Sequence, residues 1–569
     1  MKITHVNNEL NMNHVHQHVQ LRGWVAKSRR MGGMIFIDLR DRFGITQLTV
    51  DQQSQVYELA LTLRQEFVIH VTGVVIERQS KNPALKTGDI EVQIESLHII
   101  NSSETPPMLV QDETDALENT RLTYRYLDLR RPVQQHYLLV RSKITQSIRH
   151  VLVNKGFYEL ETPILGKSTP EGARDFLVPS RLYEGQFYAL PQSPQIFKQL
   201  YMIAGFEKYF QIAKCFRDED LRADRQLEFT QVDIEASFVD QEDIIALIES
   251  MMAELFNEVL KTNIQTPFLR IPFDEAILKY GSDKPDLRYD LHIQTLDQVY
   301  KDASSPLLSL DYQGYLMVNQ SLSRKEIDSL TELYKKHGGH ILTYAKKEQD
   351  TYSGPLTKHL NQTQLDALFQ DSDQQMLLLA TGTFKQVYEP LGAVRIQLAK
   401  MLNLIESDVY KFLWVVDFPL FEYSEEDDRL YARHHPFTSP KNEDDMINHP
   451  LEAKANAYDI VLNGYEIGGG SIRIFKQNIQ QRMFEMLGLK KEDIESRFGF
   501  FTEALKYGTP PHGGIALGLD RLVMLMTQTD NIKDVVAFPK TQSARDMMMD
   551  APSNVDDKQL EDIHLEVKK

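Results

Sequence analysis

Cysteine is almost missing from this sequence: Cys215 is the one thiol in 569 residues. A lone cysteine excludes an intrachain disulfide and any cysteine-based zinc knuckle, and it fits a cytoplasmic setting. Long apolar runs are missing as well. No stretch nears the ~18 residues a membrane-spanning helix needs, and the opening MKITHVNNELNMNHVHQHV has no apolar core of signal-peptide length. No membrane partner is expected. Basic residues are in deficit, 63 Lys and Arg against 81 Asp and Glu for a net charge of −18, which weighs weakly against a nucleic-acid partner. The deficit is uneven, because residues 1–105 carry 11 basic and 11 acidic side chains. There are no internal repeats or low-complexity tracts. What remains is an ordinary globular composition, 42% hydrophobic and 25% charged, with length for about four domains.

Residues 1–105 read as five short strands of alternating apolar and polar character, with a helix, SQVYELALTLRQ, after the third. That order is the order of an OB-fold barrel, whose strand faces commonly hold single-stranded nucleic acid. Arg29, Phe36 and Gln47 would give such a face a cation, a stacking ring and an amide for a base edge. Each alone reads equally well as a solvated charge or a core ring. Residues 106–135, with Pro106-Pro107 and Pro132, read as a hinge or linker. A long helical pattern then carries Leu139, Ile144, Ile148 and Leu152 as an apolar stripe, ends at Gly156, and leads a strand into Pro163. Residues 286–408 change to alternating short helices and strands and read as an insertion between 136–285 and 409–545. The charged residues 546–569 read as a loosely held extension.

The densest chemistry lies in KCFRDEDLRADRQLEFTQVDIE, residues 214–235. Strand patterns lead in at Cys215-Phe216 and out from Phe229, so the charged middle is a hairpin loop. Arg217, Glu219, Arg222 and Arg225 over a strand bearing Gln231, Asp233 and Glu235 suit a triphosphate and a small zwitterion, since arginine meets phosphate in a fork and carboxylates meet an ammonium or magnesium. A solvated charged hairpin explains this window about as well.

Four separated segments, in order, carry a resemblance that decides between these readings. The long helix with its strand and Pro163 resembles motif 1 of the class II aminoacyl-tRNA synthetases, FRDED resembles motif 2, and GIALGLDRLVML resembles motif 3. The barrel, the PQSPQ segment and GYEIGGGSIR narrow the resemblance to the aspartyl group, and the insertion narrows it to the bacterial type. It implies a multidomain α+β chain: an N-terminal OB-fold β-barrel, an antiparallel-sheet catalytic domain and an inserted α/β domain. It also implies activation of aspartate by ATP, with Mg2+, and transfer to tRNA. Arg217 would then clamp the carboxylate and the α-phosphate, and Arg521 the far end of a bent ATP, with Phe229 on the opposite adenine face. Asp218, Glu219, Gln226, Gly518, Leu519 and Asp520 would complete the ATP site. Asp459 and Glu466, seven residues apart on what reads as one strand or a strand and its turn, would hold magnesium with phosphate oxygens.

Lys198 and Arg473 match the family's pair of cations for the aspartate side chain. Glu171 and Asp233 suit its ammonium, with Ser193, Gln195 and Gln231 filling hydrogen bonds. Glu171 sits in GKSTPEGARDF, which resembles the family's mobile flap, with Gly166 and Gly172 as hinges. His434-His435 is a poor metal pair, because adjacent strand residues point opposite ways, and His434 is placed on the aspartate side. Gly468–Gly470 fits no Walker spacing and is read as close packing of backbone against substrate. The barrel would read the anticodon, while Arg222 and Arg225 would meet the acceptor end. Met31 and Lys81 lean toward an enzyme that discriminates against asparagine tRNA, and the motif 1 resemblance implies a homodimer.

Overall fold

The structure, a computed structural model, describes residues 2–568 apart from 170–172, 220, 222–224, 297–299, 301–304, 350 and 370–373. The chain divides into two compact units, Met1–Leu139 with Lys533–Ser553, and Val140–Ile532 with Asn554–Lys569. Residues 533–545, grouped by sequence with the catalytic half, thus belong to the first unit, and 546–569 is not one tail.

In the first unit, strands His18–Met31, Met34–Asp41, Gly44–Asp51, Val68–Glu77 and Ile90–Asn101 close into a barrel. Period-two alternation drives the closure. Val19, Leu21, Val25, Ile35, Ile37, Leu39, Val71 and Val92 all turn inward and are buried, at roughly 1.5–3 kcal/mol each. Closure leaves no exposed edge. The helix after the third strand is shorter than its pattern, Tyr57–Leu61.

Residues 106–135 are more ordered than a linker. They hold helices Glu118–Thr123 and Arg125–Asp128. Asp128, fully buried, accepts hydrogen bonds from Arg121 Nε (3.1 Å), Arg125 Nη1 (2.5 Å) and Arg131 Nη1 (2.6 Å). Arg125 also donates to the carbonyls of Val536 (3.0 Å) and Ala537 (2.9 Å). The arginines of this stretch are spent on one carboxylate and on main chain. Pro132 opens the helix Pro132–Asn154, because at the first helical position its missing N–H costs nothing. Along this helix Val140, Ile144, Ile148 and Leu152 are buried, whereas Leu139 is 56% exposed. The buried stripe steps by four from 140, and Leu139 lies one residue, about 100°, off it.

The second unit is built on an eight-stranded sheet in the order Leu269–Pro272, Phe412–Val416, Ala457–Leu462, Tyr465–Ile472, His512–Gly518, Glu228–Ser237, Lys208–Phe216, Tyr158–Glu159. The outermost pairing at each end is parallel, and the five between are antiparallel. A second sheet of five strands lies within residues 294–382. The helix Phe384–Met401 buries Val387, Leu391, Val394 and Leu398 in a core shared with Leu316 and Leu378 of that sheet. Thr383 caps this helix by accepting from Gln386 N (3.4 Å). Among the described residues, no helix is long and apolar enough to cross a membrane.

Candidate active site

The strand Glu228–Ser237 runs between His512–Gly518 and Lys208–Phe216. Alternation sends Val232 and Ile234 into the core and turns Phe229, Gln231 and Asp233 toward a cavity of about 510 Å³. The helix Gln195–Ile203 brings Gln195 and Lys198 to the same cavity, three residues apart on one face. Gly518 and Arg521, also three apart, reach it from the start of the helix Leu519–Met526. Ser193, Arg217, Glu219, Gln226, His434, Asp459, Glu466 and Arg473 complete the expected lining. Glu171, Gly172 and Arg222 lie outside the described residues.

Three ATP residues expected from sequence take other places. Asp218 is not on the cavity wall, and its N–H donates to Arg174 O (3.0 Å). Leu519 is core, because the turn that aims Gly518 and Arg521 outward aims it inward. Asp520 reaches the cavity edge with both carboxylate oxygens taken, one accepting from Thr230 N (2.9 Å) and one from Arg141 Nη1 (2.5 Å). It ties the motif 3 helix to the neighbouring strand. Arg225, expected on tRNA, lines the cavity and pairs with Glu219 (3.2 Å).

The floor is a buried square of charge. Lys198 contacts Asp233 and lies 3.4 Å from Glu235. Arg473 meets Glu235 in a fork, Nε at 2.9 Å and Nη2 at 3.0 Å. All four side chains are 1% exposed or less. Burial acts to raise the Glu235 carboxyl, but Arg473 and then Lys198 outweigh it and hold it below the usual range. Burial raises Asp233, which Lys198 only partly offsets. Arg473 Nη1 also donates to Ser471 Oγ (2.7 Å) and His435 Nε2 (2.7 Å). Burial, then Arg473 beside it, drives His435 well below its ordinary value. The ring is therefore neutral, and since arginine only donates, Nε2 must be the acceptor.

Four buried polar atoms on this cavity have no hydrogen-bond partner among the described residues: Gln195 Nε2, Arg217 Nε, Asp233 Oδ2 and His434 Nδ1. Buried polar groups are normally satisfied, so this clustering marks seats for a polar ligand. Arg217 also lies over the Phe229 ring, 5.1 Å to its centroid. Arg521 donates to the carbonyl of Glu466.

Asp459 and Glu466 stand on two strands of one hairpin rather than one strand, with Asp459 opposite Gly469 and Glu466 opposite Val461. Burial, then Glu466 nearby, pushes the Asp459 carboxyl up. His434 Nε2 lies 3.3 Å from Asp459 Oδ1. The two histidines occupy a bend, so the expected opposition of strand neighbours does not apply: both line the cavity, His434 on Asp459 and His435 on Arg473. The triple glycine is needed by the sheet itself. A Cβ on Gly469 would lie 2.7 Å from Asp459 Oδ1, and one on Gly470 would lie 2.2 Å from Gly514 O.

From sequence Glu235 was expected to meet an ammonium or magnesium, whereas in the structure it pairs with Arg473 and Lys198; the shell of Ser471 and His435 around Arg473 was not expected. Alternation already placed Glu235 with Gln231 and Asp233; its partner 238 residues away was invisible. Nor were Asp283, Lys284 and Arg433 expected on the cavity wall. The turn-forming run GSDKP was the only signal there.

On the barrel, Arg29 Nη2 donates to Asp38 (3.2 Å) and Gln47 Oε1 (3.3 Å), and Gln47 Nε2 donates to Glu91 (2.6 Å). Gln47 is 4% exposed, so the amide expected to be open to a base edge is bonded within the fold. The register explains it, pairing Arg29 with Phe36 and Asp38 with Gln47 on neighbouring strands. Phe36 is half-buried, and Met31 stands 65% exposed at the first hairpin tip. Lys81 pairs with Glu77 (3.1 Å) and Asp89 (3.8 Å).

Residues 117–542 match the family model described as tRNA synthetases class II (D, K and N), and residues 19–100 match the OB-fold nucleic acid binding domain. The chain is 49% identical to the aspartate–tRNA(Asp/Asn) ligase of Anoxybacillus flavithermus, covering 99% of this chain and 98% of that one. It is 48% identical to the aspartate–tRNA ligase of Mycoplasma mycoides over 100% of both. Among solved structures, asparaginyl-tRNA synthetase from Pyrococcus horikoshii, complexed with asparaginyl-adenylate, shares the fold at a TM-score of 0.61 and 21% identity, covering 94% of this chain and 98% of that one. With matches of this length and depth, the chain belongs to the class II tRNA synthetases of the D, K and N group.

Proposed function

We propose that this chain is an aspartate–tRNA ligase. It joins L-aspartate to ATP, forming aspartyl-adenylate and pyrophosphate, and then passes aspartate to the 3′ end of aspartate tRNA. The observation that carries the reading is the buried pair Lys198 and Arg473 on the cavity floor, with Arg217 on the wall above. In the first step an oxygen of the aspartate α-carboxylate attacks the α-phosphorus, and the bond to the bridging oxygen of pyrophosphate breaks. Both reactants are anionic, so positioning and charge neutralisation supply most of the catalysis. Arg217, whose buried Nε has no partner among the described residues, holds the attacking carboxylate beside the α-phosphate. Arg521 steers the far end of the nucleotide, and Phe229 stacks on the adenine.

Asp459 and Glu466 suit Mg2+, being two hard oxygen donors facing one cavity, one of them uncomfortable in its burial. No group of three or more ligands stands among the described residues, so phosphate oxygens would fill the remaining positions. Bound there, the ion neutralises phosphate charge. Lys198 and Arg473 hold the side-chain carboxylate of aspartate. Asparagine would present amide N–H groups to these donors and is rejected by the unpaired polar groups that result. Asp233, through Oδ2, takes the ammonium.

Single-stranded tRNA bases would meet the barrel face around Arg29 and Phe36, and the protein is assigned to the cytoplasm. An apolar hollow lined by Phe43, Leu138 and Leu139 supports pairing with a second copy. Exposed Met31 leans toward discrimination against asparagine tRNA, while the relative named for tRNA(Asp/Asn) favours relaxed charging. Aspartylation of purified asparagine tRNA separates the two. The function itself is tested by ATP–pyrophosphate exchange with aspartate, asparagine and lysine. Exchange with aspartate alone, lost in Arg217→Ala, is the expected result; exchange with asparagine or lysine instead would overturn the assignment.

A further inference from the structure

The wall residues that no recognised motif supplied come largely from one loop, residues 281–288, between the helix Phe273–Tyr280 and the five-stranded sheet. Lys284 is 40% exposed, its Nζ 3.6 Å from Glu466 Oε2. The loop is gripped from two sides. Within the loop, Asp286 accepts the Arg288 fork (Nε 3.0 Å, Nη2 2.7 Å). The turn at Gly464, between Asp459 and Glu466, comes so close that a Cβ there would lie 3.1 Å from Asp286 Cβ.

From the other side Arg395, on the helix Phe384–Met401, reaches in. Its Nη2 donates to Asp286 O (2.9 Å), Nη1 to Tyr289 Oη (2.9 Å), and Nε to Leu291 O. Its guanidinium lies 5.0 Å from the Tyr280 ring centroid and 4.2 Å from that of Tyr289. Gly281 (φ +65°) and Gly392 seal the approach, since a Cβ on either would lie 2.3 Å from a main-chain oxygen of the other side. Arg395 is 1% exposed, and among the described residues none of its hydrogen bonds is to a carboxylate. Burying a cation on carbonyls, a tyrosine hydroxyl and ring faces is costly, and the arrangement fixes the main chain at Asp286, two residues beyond Lys284, together with Tyr289 and Leu291.

We propose that Lys284 is a contact for the phosphate tail of the nucleotide, and that Arg395 is the positioning residue through which the inserted segment takes part in ATP binding. The proposal rests on the aspartate–tRNA ligase reading. A lysine ammonium on a flexible stem is a mobile point charge. Half-exposed, Lys284 stands beside Glu466 and turns to phosphate when the nucleotide enters, which frees Glu466 for the divalent cation that accompanies it.

The test uses the full chain with Lys284→Ala, Lys284→Arg and Arg395→Lys, measuring binding of ATP and of AMP by equilibrium dialysis with Mg2+, beside pyrophosphate exchange. Lys284→Ala is expected to weaken ATP and raise its KM by about tenfold, the scale of one charge-assisted contact. AMP affinity and the aspartate KM should hold, and Lys284→Arg should restore most of the loss. Arg395→Lys keeps the charge but loses the fork, and should give the same ATP-selective defect in smaller measure. Unchanged ATP binding in Lys284→Ala, with normal wild-type exchange, would overturn the contact. Equal weakening of ATP and AMP in Arg395→Lys would overturn the positioning role. Wild-type protein without aspartate-dependent exchange would count against the function instead, and the ATP-against-AMP comparison would still judge Lys284.

Discussion

Two buried charge clusters in this molecule look alike in composition and differ in what they leave unspent. Around Asp128, three arginines share one carboxylate, and Asp128, Arg125 and Arg131 leave no buried side-chain polar atom without a partner. Around Glu235, two cations face two carboxylates, and Asp233 Oδ2 on the floor and Arg217 Nε on the wall have no partner among the described residues. The first cluster is fully paired and serves stability; the second keeps hydrogen-bonding capacity that a polar ligand can use. Buried charge does not separate a site from a strut, whereas unsatisfied hydrogen-bonding capacity does.

The contrast can be broken by mutation. Arg473→Lys should lower aspartate-dependent exchange by on the order of 10³, since a point charge cannot hold the fork on Glu235 while serving a substrate carboxylate. Preserved exchange would mean the floor is structural like the Asp128 cluster. Asp128→Ala should cost about 3–5 kcal/mol by stranding three arginines, read in denaturant melts, while the ATP and aspartate KM of the folded fraction stay put. Gln195→Met should raise the aspartate KM by roughly tenfold yet leave the melting temperature nearly unchanged, because Gln195 Nε2 has no hydrogen-bond partner among the described residues.

The smallest effect concerns His435. Its folded pKa lies below the ordinary 6.5, so the unfolded chain binds the proton more readily. Its contribution to stability is full above pH 6.5 and is lost as pH falls from there through the folded value. Melting temperatures between pH 7.5 and 5.5 should decline, with a shallower slope in His435→Asn.

Much of this was legible beforehand, for identifiable reasons. The barrel strands announced themselves because each is half-buried and alternates. Arg217, Lys198, Asp233, Asp459 and Arg521 stood in segments whose resemblance is local in sequence. What escaped was set by partners far along the chain. Gln47 reads as an exposed amide until the register puts Glu91 beside it. Residues 106–135 read as a linker until Asp128 and the carbonyls near residue 537 gather Arg121, Arg125 and Arg131 into an ordered core. Leu139 and Leu519 failed by one residue of helical phase.

The 238 residues between Glu235 and Arg473 also have a meaning in time. A ribosome delivers Lys198, Asp233 and Glu235 together, and until residue 473 emerges Lys198 is the only one of the two floor cations present for both carboxylates. The whole inserted segment is made in that interval. The pocket is therefore among the last parts of the chain able to mature, and a nascent or truncated chain lacking its final hundred residues has no floor with which to sequester aspartate.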